Sequence, residues 1–260
     1  MTGKLRLDFD NLPLVEAAVR ASFNSPKALS YSLVNLVHAD LKASFPVLTE
    51  SEQLEIAPGA GGTQVEIRAN YLPGAVYTGH ESGLSLSVQP QVIVARWVKH
   101  PVLLERKYPR YQALRDSLWT AAEAFRKACG DDFPGISVVN MSYVNFIPTP
   151  DPPSVLKTYF NEEARLQVMD EAHQVRKLEA AWSKGDDVDV RFAVEQVEAR
   201  LPGGVTQGYR FTTAAGLRLA ESVDAKSGLE KIHDELQVFF LRLISKQAKA
   251  EWKLREVRNG

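Results

Sequence analysis

The stretch Gly135–Pro150 reads Gly-Ile-Ser-Val-Val-Asn-Met-Ser-Tyr-Val-Asn-Phe-Ile-Pro-Thr-Pro, and it sets the terms for any fold this chain can take. Its side chains alternate in two rows: Ile136, Val138, Asn140, Ser142, Val144 and Phe146 against Val139, Met141, Tyr143, Asn145 and Ile147. Both rows are rich in apolar residues and both hold an asparagine, which predicts a central strand covered on both sides that still carries polar groups. Asn140, Tyr143 and Asn145 are therefore candidate structural groups of a polar core. A buried amide without a hydrogen-bond partner costs about 1–3 kcal/mol. Asp132-Phe133-Pro134-Gly135 opens the strand, and Pro148, Pro150, Pro152 and Pro153 close it.

A chain of 260 residues buries enough surface to be stable without staples, as one large domain or two smaller ones. Cys129 is the only cysteine, so no intrachain disulfide forms and thiolate metal sites of the paired or fourfold kind are excluded. The N-terminal Met-Thr-Gly-Lys-Leu-Arg-Leu-Asp has charge where a signal peptide needs its apolar run, and no stretch approaches a membrane span. The expectation is a cytoplasmic protein that makes no use of a membrane.

The net charge of −1 removes the global basic field of a dedicated nucleic-acid binder, yet charge segregates along the chain. Arg96–Lys127 holds eight basic residues against three acids, and Arg242–Arg258 six against two. Between them, Glu162–Glu198 holds ten acids against five bases. Solvated faces of different sign explain this most simply, and a contact between segments or with a protein partner is the functional reading.

In chain order, Leu5, Leu7 and Phe9 suggest a short strand, and Leu14–Phe23 alternates as a half-buried antiparallel strand. Asn24-Ser25-Pro26 predicts a helix start, with a stripe of Leu29, Leu33, Leu36, Val37 and Leu41 and an end at Pro46. Pro58-Gly59-Ala60-Gly61-Gly62 reads as a hairpin loop between strands at residues 54–56 and 65–67, since it lacks the spacing and following helix of a phosphate cradle. Leu84–Val88 and Val92–Val98 form a further strand pair. Tyr108-Pro109 opens a second helix that stops at Gly130. The prolines around Asp151 mark a boundary between an N-terminal subdomain, 1–150, and a C-terminal one, 151–260. Residues 164–182 read as helix. Val188, Val190, Phe192 and Val194 form a strand that turns at Pro202-Gly203-Gly204 into another beginning at Tyr209. Ser227 and Glu230 have the spacing of a capping box for a final long amphipathic helix that continues toward Trp252. The class is α+β: mainly antiparallel sheet with three principal helices and two linked subdomains.

The chemistry is thin. No Gly-x-Ser-x-Gly elbow is present, and Cys129 falls on the late end of a helix. His38, His80, His100, His173 and His233 never share a metal-ligand spacing. Asp186, Asp187 and Asp189 lack the glycine and distant glutamate of a calcium loop. No catalytic residue, metal or cofactor is assigned. Arg96, Lys99, Arg106, Lys107, Arg110 and Arg115, interleaved with Trp97, Tyr108 and Tyr111, are the candidates for binding a partner or a nucleic-acid backbone. Trp97 and Tyr111 are phased for the core, which favours structure over base stacking.

Three short stretches are similar to a sporadically distributed family of bacterial proteins of about this length, without an assigned activity. They are Leu12-Pro13-Leu14-Val15-Glu16-Ala17, the strand Met141-Ser142-Tyr143-Val144-Asn145-Phe146-Ile147, and the last helix with Phe239, Phe240 and Leu243-Ile244. The family's central strand resembles Leu-Arg-Tyr-Ile-Asn-Arg-Ile, and its two arginines are Ser142 and Phe146 here. The resemblance implies an α+β fold and no chemistry. The reading that results is a non-catalytic protein-binding or assembly module, dimeric or held by a protein partner, serving a bacterial defence or toxin-neutralising operon. Its alternative is a nucleic-acid-binding protein or a metal-independent nuclease built on 96–127 with His80 or His100.

Overall fold

The computed structural model describes residues 5–9, 11–50, 72–79, 83–99, 108–148, 158–161, 177–184, 188–201, 204–220 and 223–258. The glycine loop at 58–62, its flanking strands, the prolines at 150–153 and residues 162–176 lie outside them. The elements run β1 Leu5–Phe9, β2 Leu14–Phe23, α1 Tyr31–Leu41, β3 Val47–Glu50, β4 Ala75–Thr78, β5 Leu84–Gln89, β6 Val92–Val98 and α2 Arg110–Cys129. Then follow β7 Ile136–Pro148, β8 Lys177–Lys184, β9 Val188–Leu201, β10 Gly204–Arg218, α3 Ala225–Leu243, α4 Lys246–Glu251 and β11 Leu254–Arg258. This is the expected α+β class, dominated by one antiparallel sheet of nine strands in the order β3-β4-β5-β6-β2-β7-β10-β9-β8. A separate ribbon pairs β1 with β11.

β7 lies deep in the sheet, between β2 and β10. Its pairing with β10 runs from Gly208↔Pro148 to Arg218↔Val138, so strands from either side of residue 150 share one ladder. The row Val139, Met141, Asn145 and Ile147 is buried, and the helices pack on that side. The other row is less fully covered than expected: Ile136, Val138, Asn140, Ser142 and Val144 are half-buried, while Phe146 is buried. The cause lies in their neighbours. Across β2 and β10 this row meets Ala18, Arg20, Ala214 and Gly216, which offer no apolar layer for a helix to bury.

Both large apolar clusters lie on the covered face, while Ala18 and Phe146 are buried on the other. Ala17, Val19, Ala21 and Phe23 of β2 sit beneath α2, where the Phe23 and Phe125 rings stack at 5.2 Å. A second cluster gathers Phe192, Val194, Tyr209 and Phe211 under Phe160, Phe240 and Trp252. Each such large apolar side chain, fully buried, contributes about 1.5–3 kcal/mol.

Local signals moved in four places. Asn24-Ser25-Pro26 does not start α1, because Lys27 N–H donates to Pro90 O and Leu29 bridges Leu72, which keeps this segment extended. Ser30 caps the helix instead, accepting from Leu33 N at 3.1 Å, and Leu36 is exposed while Val34 takes its place in the stripe. Of the expected helix at 164–182, residues 177–182 belong instead to β8 at the sheet edge, because Leu178, Ala180 and Trp182 alternate against β9. α3 is capped by Asp224, with Glu230 drawn away to Arg115. It ends at Leu243, because Ile244 bridges Phe160 and Ser245 caps a new helix.

Candidate functional site

Period-two alternation sends one row of every strand to the uncovered face. On β2 these are Glu16, Ala18, Arg20 and Ser22; on β7, Asn140, Ser142 and Val144; on β10, Arg210, Thr212, Ala214, Gly216 and Arg218. β9 adds Asp189, Arg191, Ala193 and Glu195, and β5 adds Ser85, Ser87 and Gln89. The centre is made of small side chains: Ala18, Ser142 and Ala214 follow one another across three strands. Charged groups flank it. No described helix packs on this face.

Several of these charges are already matched. Arg96 Nε and Nη2 donate to both Glu16 carboxylate oxygens at 2.9 and 2.7 Å, a planar two-point pair across β6 and β2. Arg210 pairs with Glu195 between β10 and β9. Ser183 Oγ donates to Asp189 at 2.5 Å. Over the β2–β6 part of the face lies a hollow of about 900 Å³, lined among others by Glu16, Arg20, Ser87, Val94, Arg96 and Asn140.

The covered side holds a second polar group between α2 and α3. Tyr111 stacks on His233 with ring centroids 3.7 Å apart, and its hydroxyl donates to Glu230 at 3.1 Å. Arg115 Nη1 donates to the same oxygen at 2.9 Å. Burial first, then the Glu230 carboxylate, holds the Tyr111 hydroxyl protonated far beyond the usual tyrosine range. Lys127 ties α2 to Asp40 of α1 at 2.9 Å. These contacts lock three helices together and line a hollow of about 690 Å³ whose charges are largely paired among themselves.

The four described basic candidates do not form one patch. Arg96 is on the open face, whereas Arg115 reaches Glu230 on the helix side, with the sheet between them. Lys99 is exposed just after β6 and spends its N–H on Val15 O at 2.8 Å. Arg110 opens α2 with φ 78°, and Arg106 and Lys107 lie outside the described residues, as do His80 and His100. The interleaved aromatics serve the core: Trp97 and Tyr111 are buried, and Tyr108 packs edge-on to Trp97 at 5.4 Å.

The three polar candidates divide between the faces. Asn140 points to the open side. Tyr143 receives a 3.5 Å contact from the Tyr108 hydroxyl, and burial pushes its own hydroxyl up to about 12. Asn145 is fully buried, and neither its Oδ1 nor its Nδ2 meets a partner among the described residues. Burial also pushes the Cys129 thiol up, which keeps it out of the reactive thiolate form. Among the described residues no group of three His, Cys, Asp or Glu is placed to hold a metal.

Sequence reasoning missed Arg20, Arg191, Arg210 and Arg218. The signal was present in β9, where Asp189, Arg191 and Glu195 alternate with the apolar Val188, Val190, Phe192 and Val194. The same polar row recurs on strands far apart in sequence, and only pairing puts those rows side by side. No protein-family model and no curated protein sequence matches the chain.

Proposed function

We propose that this chain is a non-catalytic binding module that holds a protein partner against the uncovered face of its sheet. The observation that carries this reading is the one-sided covering of the sheet: the described helices and both apolar clusters occupy one face, and the other presents arginines, acids, serines and valines with no described helix over it. A face with a broad hollow beside small side chains such as Ser142 and Ala214 suits a surface contact, and among the described residues no nucleophile and base stand together on it. The resemblance to a sporadic bacterial family of unassigned activity fits an accessory role in a defence or toxin-neutralising operon, carried out in the cytoplasm. Among the described residues no helix is long and apolar enough to cross a membrane.

Binding of nucleic acid is the second reading, and the face argues against it. The only aromatic ring on the described open face, Phe146, is buried, so no base finds a stacking platform there. The test is to purify the tagged chain with its partner from the native host, identify the partner, and reconstitute the pair. Ser142→Trp, in the middle of the open face, is expected to weaken binding at least about tenfold, a change worth about 1.4 kcal/mol. Arg126→Glu, on the exposed side of α2, is expected to leave it unchanged. The opposite pattern, or a monomer with no partner, overturns the reading.

A further inference from the structure

Arg20 of β2 and Asn140 of β7 are direct cross-strand neighbours, and both line the hollow on the open face. Neither side chain has a hydrogen-bond or ion-pair partner among the described residues. Asn140 lies flat across the sheet because its β10 neighbour is Gly216, where a Cβ would overlap Asn140 Oδ1. Arg96, in the same hollow, is neutralised by Glu16. Among the described residues, Arg20 is thus left as the hollow's one uncompensated charge.

The imbalance extends across the face. Glu16 and Glu195 are neutralised by Arg96 and Arg210, while Asp189 keeps its charge and takes a hydrogen bond from Ser183. Glu179 is also engaged. The described open-face charges without a partner are Arg20, Arg191 and Arg218, all cationic and all exposed. An isolated guanidinium presents paired donors that match a carboxylate. A small molecule in the hollow would answer Arg20 alone. An extended segment crossing the strands would answer all three. Strands stand about 4.8 Å apart, so Arg191 on β9 lies about 14 Å across the sheet from Arg20 on β2 and two residues along it, about 16 Å in all or four to five extended residues, with Asp189 in line with Arg20.

We infer that the partner's contact is an acidic, extended protein segment that crosses the open face from β2 to β9. One of its carboxylates sits between Arg20 and Asn140, and another meets Arg191 or Arg218. The inference rests on the binding-face reading above and names the chemistry of its partner. The probe is a blocked peptide with glutamate at every fourth position in a serine and threonine background. It is titrated into the isotopically labelled full chain and followed by amide and side-chain NMR.

Saturable shifts confined to β2, β7, β10 and β9, including the Asn140 side-chain amide, are expected. Arg20→Gln and Arg191→Gln should each weaken binding about three- to tenfold, a range that follows from the loss of one charge-assisted contact at an exposed site. Both positions are exposed and unpartnered, so the variants should fold normally. The peptide with glutamine in place of glutamate should not saturate. No saturable shift, equal binding by free glutamate, or tighter binding by a single-stranded oligonucleotide overturns the inference. With the reconstituted partner, a loss of binding in Ser142→Trp but not in Arg20→Gln or Arg191→Gln overturns the acidic segment and leaves the binding face standing. Indifference to all three overturns both.

Discussion

Gly208 and Gly216 stand on the same strand, yet they differ in what a methyl group would meet. At Gly208 a Cβ would lie 2.5 Å from Ile147 O and 2.6 Å from the buried Phe146 ring, neither of which can step aside. Gly208→Ala is therefore expected to lower stability by about 1–3 kcal/mol in urea unfolding, the usual cost of overpacking. At Gly216 the obstacle is the end of the Asn140 side chain. Gly216→Ala should cost less than about 1 kcal/mol, and Asn140→Ala in the same chain should remove that cost. Asn145 carries the opposite sign. Its buried amide lacks a partner among the described residues, so Asn145→Leu, close in volume, is expected to stabilise by about 1–2 kcal/mol in the same assay. The tyrosines give a pH dependence. Burial holds Tyr143 protonated up to about 12, and Tyr108 and Tyr111 are also raised. The unfolded chain releases these protons near pH 10, so their contribution is intact below about 10 and is lost as pH rises from there through the folded values. Each tyrosine adds at most about 1.4 kcal/mol per pH unit to that fall, and Tyr143→Phe should make the decline between pH 10 and 12 shallower.

At the scale of elements, α3 offers a sharp comparison. Asp224 Oδ2 accepts from both the N–H and the hydroxyl of Ser227, so Asp224→Ala should cost about 1 kcal/mol and Ser227→Ala much less. A capping box centred on Ser227 would reverse that order, and thermal unfolding of the two variants decides between them. The sequence spacing of Ser227 and Glu230 pointed to the box, but Glu230 is engaged by Arg115 and Tyr111 from a helix over a hundred positions earlier in the chain. The same lesson holds for α1 and β8. β2, β5, β6, α2 and β7 were legible because each carries its own long, regular alternation or stripe. The start of α1 depends on Pro90 and Leu72, and β8 depends on β9, so their local residues alone were ambiguous. β11 was missed for the same reason, since its partner is at the opposite end of the chain.

For the whole molecule, the distribution of cover decides what the protein can do. The two rows of β7 looked equally suited to burial, and their neighbours on β2 and β10 made one of them a surface. The basic segment at 96–127 looked like one patch, and the sheet between Arg96 and Arg115 divides it. The candidate site was legible only in part: Arg96 and Asn140 were singled out, while Arg20, Arg191 and Arg218 emerged from strand pairing. Arginine-directed footprinting with phenylglyoxal, on the free chain and on its complex from the native host, tests the central claim directly. Arg20, Arg191, Arg210 and Arg218 on the open face should be protected in the complex, while Arg126 and Arg242, exposed on α2 and α3, should react as before. Protection of Arg126 or Arg242 with the open-face arginines unchanged would contradict it.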